Sequence, residues 1–172
     1  MIPTIKNILY ATDLTQNSAY AFRYAVNSAK KHDARIHILH VIETMPPGTE
    51  GIMQWVVKQD NIEKSREETR EVLKNRIEAR LLQFAKQELA DDPETLKRVA
   101  SIKVVHGDPT VEILKEVEKP DYDILIIGTH GKGVIEHTFL GSVSEKVLHR
   151  ISKPVYVIPL PKGKTDITLG EI

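Results

Sequence analysis

A glycine-rich segment in the last third of the chain holds the residues best suited to bind an anion. Gly128 and Gly131 are separated by two residues, and Gly141 and Ser142 follow after nine more. An apolar run precedes this segment, and a helical pattern starts at Ser142. Backbone N–H groups beside glycines are unobstructed, and the first N–H groups of a helix have no partner within the helix. The spacing therefore predicts a loop that surrounds phosphate groups.

Side chains near the start of this helix add to the prediction. Ser142 and Ser144 offer hydroxyl groups where a helix dipole favours an anion, and Lys132 offers a positive charge. The alternative is an ordinary glycine-rich turn in which Lys132 is only solvated. Two other phosphate motifs fail, because Ile158 and Glu136 stand where the P-loop and the dinucleotide fingerprint each require a glycine.

Two further candidate residues follow predicted strands. Asp13 comes directly after the first strand, where its carboxylate can accept hydrogen bonds from ribose hydroxyls or a base amine. The alternative for Asp13 is a turn or a helix cap. Val41 lies at the end of the second strand and offers backbone N–H and C=O groups to a flat heterocycle, although a buried strand valine is the commoner role.

The elements that must position these residues alternate between short apolar runs and helical patterns. The predicted strands cover residues 6–12, 35–42, 101–106, 123–127 and 154–159. We predict helices after the N-caps Thr15 and Thr110, and over residues 62–89 and 142–151. The apolar stripe predicted for the long helix consists of Val72, Leu73, Ile77, Leu81, Phe84, Ala85 and Leu89.

This alternation predicts an α/β fold, a doubly wound five-stranded parallel sheet with helices on both faces. One nucleotide-binding domain is expected over residues 1–160, with a flexible tail over residues 161–172. Sheets of this kind bind ligands outside the carboxyl ends of their strands, where the strand order reverses. The loops 12–16, 42–51 and 128–142 are therefore the candidate binding loops.

Composition excludes several classes of function. The 172 residues contain 24 lysines and arginines, 24 aspartates and glutamates, and no cysteine. The zero net charge gives no general attraction to nucleic acid or to an anionic membrane, and the lack of cysteine excludes disulfides and thiolate chemistry. The histidines show no familiar metal-ligand spacing, so no protein-bound metal is expected. With no signal peptide or membrane-spanning run in the sequence, we expect a cytoplasmic protein.

Four segments of the chain together resemble the ATP-binding branch of the universal stress protein family. They are Asn7 to Asp13, Leu39-His40-Val41, the Gly-x2-Gly-x9-Gly-Ser loop, and Lys153 to Ile158. The resemblance runs from about residue 6 to residue 158. It implies an open Rossmann-like fold of the adenine nucleotide alpha hydrolase-like type.

The resemblance also implies site residues and a ligand. Asp13 and Val41 would contact adenosine, and the ribose and phosphates would be surrounded by Gly128, His130, Gly131, Gly141, Ser142 and Val143. The implied ligand is ATP, or AMP or ADP, with magnesium held through the phosphates. No catalytic residue is implied. The region from residue 43 to residue 60 matches no pattern of the family.

The last strand is expected to mediate a homodimer. An apolar strand at a sheet edge invites pairing, and the family resemblance implies dimers through Val155, Tyr156, Val157 and Ile158. The leading hypothesis is a stress-response protein in which bound nucleotide controls this dimer or another partner surface. The alternatives are a slow ATPase or adenylyl-transferring enzyme on the same site, and an interaction protein whose loop no longer binds nucleotide.

Overall fold

A computed structural model of the protein describes residues 2–44, 62–129 and 140–159. The strands β1 to β5 are Asn7–Thr12, Arg35–Glu43, Val99–Gly107, Ile124–Gly128 and Val155–Ile158. The helices, labelled α1 to α5 in chain order, are Gln16–His32, Ile62–Glu88, Pro93–Leu96, Pro109–Val117 and Ser142–Leu148. The five predicted strands are confirmed, each with its ends shifted by no more than two residues.

The five strands form one parallel sheet in the order β3-β2-β1-β4-β5. The chain builds outward from β1 through β2 to β3, then returns to the other side of β1 to add β4 and β5. The order therefore reverses between β1 and β4. In a doubly wound sheet, this reversal point is where the loops separate and leave a crevice for a ligand.

Both faces of the sheet are covered, as the near-continuous apolar strands predict. One core lies under α1 and α2 and includes Ile8, Tyr10, Phe22, Ile38 and Leu81. The other lies under α4 and α5 and includes Leu9, Leu39, Ile113, Leu125 and Val147. Alternate residues of each strand enter the two cores, so the even-numbered residues of β1 and β2 face α1 and α2.

One of the two predicted helix caps is confirmed and the other is wrong. Thr15 caps α1, and its side chain accepts a hydrogen bond from the backbone N–H of Ser18. Helix α4 is capped by Asp108, whose carboxylate accepts from the N–H of Val111 at 3.0 Å. Pro109 suits the first helical position because its missing N–H would have no partner there, and Thr110 is buried inside the first turn.

The predicted apolar stripe of α2 is correct only in its C-terminal half. Ile77, Leu81, Ala85 and Leu89 are buried, whereas Val72 is 67% exposed. Leu73 is exposed as well. A helix of 27 residues is about 40 Å long, while the nine residues of β3 span about 30 Å. The apolar spacing therefore continues along a helix that is longer than the strand it packs against.

None of the helices within the described ranges is long and apolar enough to cross a bilayer. The predicted tail, residues 161–172, lies outside the part of the chain that the structure describes. The same holds for most of the 43–60 region.

Candidate functional site

The predicted site residues that the structure describes lie at the carboxyl edge of the sheet. Asp13 follows the last residue of β1, and Gly128 is the last residue of β4. These two strands are neighbours, with Tyr10 paired to Ile126, so their carboxyl ends lie side by side. Because the strand order reverses between them, Asp13 and Gly128 flank the switch point of the sheet.

The turn between β1 and α1 holds Asp13 through one of its carboxylate oxygens. Asp13 Oδ1 accepts hydrogen bonds from the backbone N–H of Thr15 at 3.1 Å and from the Thr15 hydroxyl at 2.6 Å. Asp13 therefore has the turn role that the sequence left open as the alternative. The residue is half-buried, and Oδ2 makes no hydrogen bond within the described ranges of the chain. The turn role thus leaves one oxygen of this carboxylate for a ligand.

A chain of polar contacts fixes the backbone on either side of Asp13. Leu14 adopts the left-handed conformation with φ 65°, and its N–H donates to the Thr12 hydroxyl oxygen at 3.1 Å. The Thr12 hydroxyl donates to Ser18 Oγ at 2.9 Å, and the Ser18 hydroxyl donates to the Thr15 carbonyl oxygen at 2.9 Å. From β2, His40 Nδ1 contacts the Thr12 carbonyl oxygen at 2.8 Å.

Tyr10, on β1, holds the first turn of α1 against the sheet. Its hydroxyl donates to the Ser18 carbonyl oxygen at 2.5 Å, and its ring packs on Phe22 with ring centres 5.3 Å apart. Burial raises the pKa of Tyr10 well above its ordinary range. The phenol therefore stays neutral and acts as a fixed hydrogen-bond donor between β1 and α1.

Val41 lies one residue beyond the end of the pairing between β1 and β2. That pairing ends at Thr12 and His40, while the pairing of β2 with β3 continues through Val41 and Val105. The Val41 side chain packs against the core under α4 and α5 and is half-buried. Its backbone therefore lies next to the turn that carries Asp13.

Gly128 is required by packing, a role that the sequence did not reveal. A Cβ atom at Gly128 would lie 2.3 Å from Asn17 Oδ1 and 2.9 Å from Asn17 Cγ. Asn17 is buried on α1, and its Nδ2 donates to the carbonyl oxygen of Ile158 at 3.3 Å. The absence of a side chain at Gly128 thus allows α1 to approach β4 and join it to β5.

One backbone hydrogen bond joins the two described ends of the glycine-rich segment, and another joins the first of them to β5. Thr129 N–H donates to the Ile158 carbonyl oxygen at 3.0 Å, and Gly141 N–H donates to the Thr129 carbonyl oxygen at 2.6 Å. Gly141 is the N-cap residue of α5 and supplies no side-chain cap. Ser142 is exposed and Val143 is half-buried at the first turn of this helix.

Ser144 does not offer its hydroxyl to a ligand as the sequence suggested. Its Oγ donates to the Gly128 carbonyl oxygen at 2.8 Å, and the residue is buried. The predicted contacts His130 and Gly131 lie outside the described residues. Within the described ranges, no group of three or more histidine, aspartate or glutamate side chains is arranged to hold a metal ion.

The residues that sequence analysis missed are those that hold the backbone. They are Asn17, Ser18 and His40; Asn17 and His40 hydrogen-bond to a main-chain carbonyl on another element, as Ser144 does. Such bonds leave no spacing signal, because the partner is a peptide group that every residue has. Leu39-His40-Val41 had been singled out as a motif, but without a role for the histidine.

The comparisons with known proteins show the family of this chain. The family model described as the universal stress protein family matches residues 4–159. The chain belongs to the universal stress protein family. Universal stress protein MJ0577 of Methanocaldococcus jannaschii is 32% identical over 156 residues, which is 89% of this chain and 94% of that protein. Universal stress protein MJ0531 of the same organism is 27% identical over 91% of this chain and 84% of its own length.

Solved structures of universal stress proteins share the fold. The structure of MJ0577 superposes with a TM-score of 0.67 at 27% identity, and the match covers 94% of this chain and 100% of that chain. UspA from Lactobacillus plantarum gives a TM-score of 0.61 at 20% identity over 91% and 99% of the two chains. A universal stress protein solved in complex with cAMP gives 0.51 at 17% identity, covering 91% and 98%.

Proposed function

We propose that this universal stress protein binds an adenine nucleotide at the carboxyl edge of the sheet, between β1 and β4. Adenosine would contact Asp13 and the backbone of Val41, and the segment from Gly128 to Val143 would surround the phosphates. One observation carries the proposal. The hydrogen bond from Gly141 N–H to the Thr129 carbonyl oxygen closes this segment at the switch point, beside the turn that holds Asp13.

The chemistry of the described residues fits such a ligand. Asp13 has one oxygen engaged by Thr15 and the other available to accept from ribose hydroxyls. Gly141 is the N-cap residue of α5 and makes no side-chain cap hydrogen bond, so no capping side chain competes with a phosphate oxygen for the first N–H groups of this helix. A member of the family has been solved with cAMP, which is an adenine nucleotide. ATP is the ligand we propose, with AMP or ADP as alternative ligands of the same site, and with magnesium held through the phosphates.

The first experiment asks whether nucleotide is present and whether it binds. Protein purified without added nucleotide is denatured, the extract is separated by chromatography, and the stripped protein is titrated with Mg·ATP, AMP and cAMP by calorimetry. We expect adenine nucleotide in the extract, or saturable binding of about one nucleotide per chain. An empty extract together with flat titrations would overturn the proposal.

A glycine substitution tests the role of the loop. Gly131→Val places a branched side chain in the predicted phosphate loop, and we expect at least a tenfold loss of ATP affinity with an unchanged circular dichroism spectrum. Gly163→Val, outside the family match, is the matched control and should bind like the parent protein. Equal affinity of Gly131→Val and the parent would remove the phosphate assignment.

The same titration separates a binding protein from an enzyme. We propose a binding protein, because the hydroxyl and the carboxylate that meet at Asp13 hold the turn: Asp13 Oδ1 accepts from both the N–H and the hydroxyl of Thr15, the N-cap residue of α1. Incubation of the protein with Mg·ATP, followed by chromatography of the products, should show no release of ADP or AMP beyond that of a Gly131→Val preparation. Turnover that disappears in this variant would instead support the slow ATPase or adenylyl-transferring alternative.

We further propose that the protein is a homodimer joined through β5 and that nucleotide binding controls this dimer in the cytoplasmic stress response. β5 lies at the edge of the sheet, and Tyr156 is 41% exposed on it. Tyr156→Arg should shift the mass measured by light scattering from two chains toward one. Tyr24→Arg is the matched control, because Tyr24 has 42% exposure on α1. A parent protein of single-chain mass at micromolar concentration would contradict the dimer.

A further inference from the structure

The turn that carries Asp13 has a conformation that its own sequence does not favour. Leu14 has a φ of 65°, in the left-handed region that non-glycine residues rarely adopt. A strained backbone of this kind persists only where surrounding contacts hold it. The contacts therefore show which residues keep Asp13 in place.

Most of these contacts come from the turn itself or from the first turn of α1. The side chain of Thr12 accepts from the N–H of Leu14, that of Thr15 donates to the Asp13 carboxylate, and that of Ser18 donates to the Thr15 carbonyl oxygen. His40 differs, because it belongs to β2 and is 92% buried, with 8% of its surface exposed. Its ring contacts the Thr12 carbonyl oxygen at 2.8 Å through Nδ1.

The direction of this hydrogen bond follows from its partner. A carbonyl oxygen only accepts, so His40 Nδ1 must carry the hydrogen and donate it. The Thr12 carbonyl and the N–H of Asp13 belong to one planar peptide group. The bond from His40 therefore fixes the plane from which the Asp13 side chain departs, and His40 is the direct neighbour of Val41 in the sequence.

We propose that His40 is a positioning residue of the nucleotide site, which holds the Thr12–Asp13 peptide so that the Asp13 carboxylate meets the ligand. This inference rests on the proposed function. His40 itself does not touch the ligand in this proposal. It joins the end of β2, which carries Val41, to the turn after β1, which carries Asp13.

Two substitutions of His40 separate the hydrogen bond from the volume of the ring. His40→Asn keeps an N–H donor at the same number of bonds from the backbone as Nδ1, whereas His40→Leu has no donor. We expect His40→Leu to raise the Kd for Mg·ATP and for AMP by about tenfold. His40→Asn should remain within about threefold of the parent. His37→Leu on the same strand is the control, because His37 bonds to Ser101 and Asn7, far from the turn.

A double-mutant cycle tests whether His40 acts through Asp13. In the Asp13→Ala background, His40→Leu should change the Kd by less than about threefold, because the group it positions is absent. A full tenfold effect in that background, or equal losses in His40→Asn and His40→Leu, would overturn the inference. Unfolding curves of each variant show whether the protein is folded at the temperature of the titration.

Amide hydrogen exchange keeps this inference separate from the proposed function. In the nucleotide-free protein, His40→Leu should speed exchange at Leu14 and Thr15, which bond within the turn, and His37→Leu should not. Unchanged exchange at these amides would overturn the role of His40 even if nucleotide binds. If the parent protein binds no nucleotide but the exchange rates change as expected, the proposed function fails while His40 still holds the turn.

Discussion

The two edges of the sheet use polar side chains in different ways. At the amino edge, the end of the sheet where the strands begin, polar side chains bond to one another or to the backbone just before a strand. At the carboxyl edge, where the strands end, Asn17, His40 and Ser144 bond to main-chain carbonyls, and Thr12, Thr15 and Ser18 bond within the turn that carries Asp13. The first arrangement satisfies a buried charge with neighbouring side chains, whereas the second fixes the backbone at the ends of the strands.

The amino-edge network centres on Glu116, which is buried on α4. One carboxylate oxygen accepts from Lys103 at 2.6 Å and from Lys119 at 2.8 Å, and the other accepts from the Tyr122 hydroxyl at 3.0 Å. Nearby, the ring of His37 meets the Tyr122 ring edge-on at 5.2 Å, and burial lowers the pKa of His37. The acceptors of Glu116 are thus already taken by neighbouring side chains.

The carboxyl edge lacks such closure among the residues that the structure describes. His40, Asn17 and Ser144 each donate to a backbone carbonyl oxygen, at Thr12, Ile158 and Gly128 respectively. Among the described residues, the Asp13 carboxylate bonds through Oδ1 only. The difference fits a stabilising role for the amino edge and the nucleotide site proposed above for the carboxyl edge, and each prediction below tests one side of this comparison.

The largest effect is expected at Gly128, where the carboxyl edge depends on packing. Gly128→Val would bring its Cβ to 2.3 Å from Asn17 Oδ1, so the buried Asn17 side chain must leave its hydrogen bond to Ile158 or α1 must move away from β4. We expect the free energy of unfolding to fall by about 3 kcal/mol, as for overpacked cores, measured by urea denaturation.

Asn17→Ala in the Gly128→Val background provides the control. Removing the Asn17 amide opens space for the new side chain, so the double variant should be less destabilised than the sum of the two single changes. Additive losses would show that Asn17 is not the obstacle at Gly128.

A smaller loss is expected at the centre of the amino-edge network. Glu116→Ala removes an acceptor for three donors, and the free energy of unfolding should fall by about 2 kcal/mol, the range for hydrogen bonds to a charged group. The two lysines are 43–44% exposed and stay hydrated, which limits the loss. Affinity for nucleotide should not change. A loss of affinity in a stably folded Glu116→Ala protein would break the comparison between the edges.

The fold was predictable because its signals are local. Apolar runs such as residues 124–127 mark buried parallel strands, and Thr15 marks the start of α1. The candidate site could be predicted only where residue type and spacing carry it, as with Asp13 and the glycines, and its binding role stays a prediction. Burial of α2 at Val72 depends on how far the sheet extends, and the roles of Asn17 and His40 depend on carbonyl groups brought close by folding. Neither dependence leaves a pattern along the chain.

Asp13→Asn should show the opposite behaviour to Glu116→Ala. The asparagine side-chain oxygen can still accept from Thr15, so the turn and the free energy of unfolding should change by less than about 1 kcal/mol. Loss of the charge and of one acceptor should weaken binding of ATP and AMP alike by about tenfold, measured by calorimetry. A loss confined to ATP would place Asp13 near the phosphates and their metal ion instead of adenosine.

The smallest effect concerns the response of stability to acid. Burial alone would raise the pKa of Glu116, but the hydrogen bonds from Lys103, Lys119 and Tyr122 together lower it below its ordinary value. A carboxyl group whose pKa is lower in the folded state stabilises the protein above its unfolded pKa, about 4.3. That stabilisation disappears as the pH falls through the folded pKa. In Glu116→Gln the free energy of unfolding, measured by urea denaturation between pH 6 and pH 3, should therefore decline less steeply than in the parent protein.

The matched control is Glu145→Gln on α5, an exposed position, which should keep the parent slope. An unchanged slope in Glu116→Gln would mean that the three hydrogen bonds to Glu116 do not favour its charged form. The amino edge would then no longer differ from the carboxyl edge by pairing its buried charge with neighbouring side chains.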